Sequence, residues 1–87
     1  KKTYYNPGKI LSRLKKQLEK YETMLSESEK KADEYKMQLM NPELASDYPK
    51  LMDIQSKLDV EEKNQESILE RMLETELELE EMQEDKD

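Results

Sequence analysis

Apolar residues recur through the first half of the chain at alternating steps of three and four: Leu11, Leu14, Leu18, Tyr21, Leu25, Ser28, Ala32, Tyr35 and Leu39. That alternation is the heptad seam of a coiled coil, and only Ser28 breaks its apolar character. A lone amphipathic helix on a globular body would show a wider face with period 3.6. The second half continues less tidily. Leu51, Gln55, Leu58, Glu62, Gln65, Leu69, Met72, Glu76 and Leu79 follow a four-three order, with Ile54, Ile68, Leu73 and Met82 flanking it.

Between the two halves lies Asn41-Pro42-Glu43-Leu44-Ala45-Ser46-Asp47-Tyr48-Pro49, with two of the three prolines. Proline has no amide donor and clashes with the preceding turn, so Pro42 ends the first helix. Ser46 or Asp47 caps the second, and Pro49 is tolerated in its first turn. Asn6-Pro7 is a similar start for the first helix. Two long helices joined by so short a connector bury their stripes only by lying antiparallel. The expected fold is therefore all-α, an antiparallel coiled-coil hairpin formed by one chain. Its parts are a basic lead-in (1–6), a first helix (7–40), a connector (41–47), a second helix (48–84) and a frayed acidic tail (85–87).

Pairing Leu39 with Leu51 sets a register that also pairs Tyr21 with Leu69, Leu18 with Met72, Leu11 with Leu79, and on the flank Lys31 with Glu61. One zone is weak: Ser28 faces Glu62 and Leu25 faces Gln65, so either the middle is an ordinary solvated stretch or it is a bending point.

Composition agrees with a thin rod: 43% of residues are charged against 33% hydrophobic, too polar for a broad core. No run of about 18 apolar residues offers a membrane span. The chain has no Cys or His and a single glycine. Thiolate metal sites, the common nucleophile–base pairs and a Gly-rich phosphate loop are therefore missing. The Glu-rich stretch at 74–84 lacks the loop of spaced oxygens that calcium needs. Two helices also form no pocket in which to tune a carboxylate. The expectation is a non-enzymatic chain without cofactor or metal, and the start at Lys1 suggests a piece of something longer.

Charge changes the picture further. The net charge is −7, yet residues 1–20 hold seven basic residues and one acidic one, while residues 61–87 hold twelve acidic and three basic. In an antiparallel hairpin these ends lie side by side, which accounts for part of the segregation. Lys9, Arg13, Lys16 and Lys20 instead step by four, three and four along a face expected to lie beyond the second helix. With Lys1 and Lys2 they form a stripe suited to a phosphate backbone. The alternative is a spacer or protein-docking arm whose tip residues Met40, Leu44 and Tyr48 make the contact.

The connector, of the form N-P-E-L-x-x-D-Y, follows a Lys-rich lead-in and a heptad helix. It precedes Lys50-Leu51-Met52-Asp53-Ile54-Gln55 and an Arg71-Met72 pair near the end of the second helix. This layout resembles the C-terminal coiled-coil domain of ABC-F ATPases, soluble duplicated ABC proteins that act on ribosomes. Members often carry Trp after that Arg, where this chain has Met72. The resemblance implies a cytoplasmic appendage that contacts nucleic acid, ribosomal RNA or DNA, with ATP and Mg bound elsewhere in the parent protein.

Overall fold

The computed structural model describes residues 7–84, so the lead-in, the tail, Lys1 and Lys2 lie outside the described residues. Two helices, α1 (Pro7–Leu39) and α2 (Tyr48–Glu84), run antiparallel along each other, joined by a single 3-10 turn at Pro42–Leu44. The result is a rod of 68 × 18 × 17 Å. Helices of 33 and 37 residues at a rise of about 1.5 Å per residue account for about 50 and 55 Å of that length.

The connector is held by its own side chains. As α1 ends, Met40 and Asn41 donate to the carbonyls of Met37 and Gln38, three residues back, which tightens the last turn. The Asn41 side chain then accepts from the Glu43 amide at 3.0 Å and caps the 3-10 turn. Asp47, rather than Ser46, caps α2: its Oδ1 accepts from the Lys50 amide at 3.3 Å, and its carbonyl accepts from the Leu51 amide. Pro49 sits in the first turn of α2, where its missing amide would have had no helical partner.

The α1 seam is as expected. Leu14, Ser28 and Ala32 are buried, and Leu11, Leu18, Tyr21, Leu25, Tyr35 and Leu39 are half-buried. In α2 the expectation is corrected at every second position. Leu51, Leu58, Gln65, Met72 and Leu79 face α1, but the residues between them are Ile54, Glu61, Ile68 and Thr75. Gln55, Glu62, Leu69 and Glu76 are exposed instead. Both choices keep an alternating three-four spacing from the shared positions. The observed one places two isoleucines and a threonine in the interface where the other would place Gln55, Leu69 and Glu76. Thr75 satisfies its hydroxyl by donating to the Arg71 carbonyl at 2.8 Å, so it enters the seam without an unpaired polar atom.

In the middle of the rod Ser28 is buried and Leu25, Glu61 and Gln65 around it are half-buried. Both helices run through this zone without interruption. Ser28, at 3% exposure, donates to the Glu61 carboxylate at 2.5 Å. Its partner is thus Glu61, one residue from the expected Glu62. Asn64 also donates to that carboxylate, at 3.4 Å. The Ser28 hydroxyl, followed by Asn64 and the nearby Lys31 ammonium, holds the Glu61 carboxyl below its ordinary range, against the opposing effect of burial.

Candidate nucleic-acid interface

Lys9, Arg13, Lys16 and Lys20 are all exposed on α1. Arg13, Lys16 and Lys20 line one shallow recess together with Leu14, Gln17 and Glu78. Heptad geometry produces this grouping. Gln17 stands one residue before the seam residue Leu18, and Glu78 stands one before Leu79, so both project on the same flank of the hairpin. The basic residues occupy the adjoining outer positions. The expectation that α2 lies out of reach of this face is therefore amended, because Glu78 borders the recess. Neither Gln17 nor Glu78 was read as part of the site: Gln17 carries no charge to mark it, and the placement of Glu78 depends on which α2 residues form the seam.

Among the described residues, Arg13, Lys16 and Lys20 form no ion pair, whereas Lys57 and Asp53 of α2 pair at 3.3 Å. Lys9 is engaged by a neighbouring group. Further along the same flank, Gln17 donates to the Tyr21 hydroxyl at 3.1 Å. That bond, and then the Arg71 guanidinium reaching across from α2, lower the tyrosine's ionisation from its ordinary value. Arg71 thus lies near the Tyr21 hydroxyl of α1, beside the basic stripe.

Large apolar side chains are exposed at the tip. Met37, Met40, Tyr48 and Met52 are between 69% and 80% exposed. Leu44 is half-buried, so of the three expected tip residues Met40 and Tyr48 present themselves to solvent most fully. Met37 and Met52 join them by position, a grouping that the connector alone did not suggest. Among the described residues, no group of three or more acidic side chains could hold a metal ion, and no helix is long and apolar enough to cross a membrane.

No family model matches the chain, and no curated protein or solved structure is detectably similar to it.

Proposed function

We propose that the hairpin is a non-catalytic arm that contacts the phosphate backbone of a nucleic acid through the α1 stripe. The observation that supports this reading is the cluster of Arg13, Lys16 and Lys20 around one recess without ion-pair partners among the described residues. Cations already committed to carboxylates would gain little from phosphate, whereas these release bound counterions when a polyanion replaces them. The acidic distal half of α2, including Glu78 at the recess, repels that polyanion and keeps the affinity low. Phosphate contact alone carries no base information, so binding is expected to be independent of sequence. The resemblance of the connector to ABC-F proteins fits this reading and extends it to ribosomal RNA or DNA, with the hairpin as an appendage of an ATPase.

The test is a mobility-shift titration with duplex and single-stranded probes. With about four phosphate contacts, affinity should fall by about two orders of magnitude from about 50 to about 200 mM salt. Reversing Lys9, Arg13, Lys16 and Lys20 to Glu should abolish the shift at low salt while helicity by circular dichroism is kept. Equal binding by the reversed variant would leave the stripe as a solvated face.

The exposed Met37, Met40, Tyr48 and Met52 favour a second reading, an arm that docks on a protein through its tip. Methionine is flexible and polarisable and suits an adaptable contact. Binding of that kind should respond weakly to salt and should be lost in a Met40→Ser, Tyr48→Ser variant that leaves the stripe untouched.

A further inference from the structure

The distal half of α2 carries a feature that neither the seam nor the basic stripe uses. Leu69, Leu73 and Leu77 are 50%, 57% and 50% exposed, far more than the Ile68 beside them. They follow one another at steps of four, which places them one above the next along the helix surface. Leu69 and Leu73 each stand one residue after a seam residue, Ile68 and Met72. Arg71 and Glu78 stand one residue before a seam residue. Leu69 and Leu73 therefore lie on the flank opposite the recess of Arg13, Lys16 and Lys20, and Leu77, midway between the seam residues Thr75 and Leu79, carries the stripe onto the outer face of α2.

At about 100° per residue, Glu66 and Glu80 close the two ends of this stripe, Glu70 and Glu74 border one side, and Glu76 the other. All five are exposed, and none forms an ion pair with a described residue. We infer that this stripe is a docking surface for an amphipathic helix of a partner protein, with apolar residues at the same four-residue step and lysines or arginines along its flanks. The leucines supply the apolar anchors of helix-on-helix recognition. The frame of carboxylates selects the sign of the partner and steers its approach. A second copy of this chain fits poorly, because a two-fold contact would set the same carboxylates against each other. An anionic lipid surface is repelled for the same reason. The inference does not rest on nucleic-acid binding by α1.

The probes are two synthetic helical peptides with leucines at positions i, i+4 and i+8, one flanked by lysines and one by glutamates. They are titrated into the hairpin by fluorescence anisotropy at about 150 mM salt, where unspecific charge attraction is screened. The lysine peptide should bind and the glutamate peptide should not. Its amide shift perturbations by NMR should centre on residues 66–80. The triple variant Leu69→Ser, Leu73→Ser, Leu77→Ser should weaken binding about tenfold or more, as removal of interface anchors does. Should that variant lose helicity, the single change Leu73→Lys serves in its place, since Leu73 is the most exposed of the three. Binding unchanged by either variant would reduce the surface to bare negative charge and overturn the proposal. So would sedimentation showing that the parent chain dimerises and that serines at these positions disperse the dimer.

Discussion

Ser28 and Glu61 form a part-buried polar contact that ties the two helices together at the middle of the seam. The carboxylate is retained because a hydroxyl at 2.5 Å and an amide at 3.4 Å take up its charge. Its ionisation is displaced below the ordinary value of 4.5 in the folded chain. A depressed carboxyl contributes its stabilisation fully above the unfolded value and loses it as pH falls through the folded one. The stability gap between the parent and Glu61→Gln should therefore be constant near neutrality and close below about pH 4.5, which paired denaturant melts across pH would read. The double change Ser28→Leu, Glu61→Leu should leave stability equal or raise it by about 1 kcal/mol, since replacing both partners of a hydrogen bond by packed apolar groups leaves no unsatisfied atom behind. Ser28→Leu alone should gain less, because it strips the carboxylate of its shortest hydrogen bond.

At the scale of the helix, α2 shows what a heptad pattern decides and what it leaves open. Ile68→Ala should destabilise by about 2 kcal/mol, the low end for core truncations in so thin an interface. Leu69→Ala should change stability by less than about 0.5 kcal/mol, as surface changes do. Thermal melts of the two variants test the seam directly. The α1 seam was legible because every seam position but Ser28 is apolar and the spacing has no rival. In α2 the pairs Ile54/Gln55, Ile68/Leu69 and Thr75/Glu76 each satisfy the spacing, and Leu69, Leu73 and Leu77 add apolar residues outside the seam. What decides is the total desolvation of the face, which favours two isoleucines and a self-satisfied threonine over a seam containing Glu76. The connector was legible in its stop before Pro42 and in a cap at Ser46 or Asp47, because caps are local chemistry. The choice of Asp47 and the 3-10 turn capped by Asn41 emerged only in the fold. The recess on α1 was legible only in its basic members, because Glu78 joins it through the choice of α2 face.

For the whole molecule, antiparallel pairing within one chain makes the extended shape a property of the monomer. Small-angle scattering should give a long axis near 68 Å with a cross-section near 17–18 Å, at the mass of one chain. Compact dimensions, or the mass of two chains, would contradict the hairpin. The rod has two chemically different flanks along one half. One side carries Arg13, Lys16 and Lys20 and the other the leucine stripe framed by glutamates, while the apolar tip lies at the far end.

The capped connector also sets the order in which the rod assembles. Residues facing one another near the tip are close in sequence, so the first interhelical contacts close a loop of only about ten residues, on the order of 10–100 ns. Pairs such as Leu14 with the Thr75 region close a chain several times longer, and each doubling adds about 0.6 kcal/mol of entropy unless the intervening pairs have already formed. The hairpin should therefore zip from Asn41 and Asp47 toward the open end. Asp47→Ala should then slow refolding in stopped-flow measurements and leave unfolding nearly unchanged, whereas Thr75→Ala should mainly hasten unfolding. The opposite partition would place nucleation at the charged end, with its basic α1 and acidic α2, instead of at the turn.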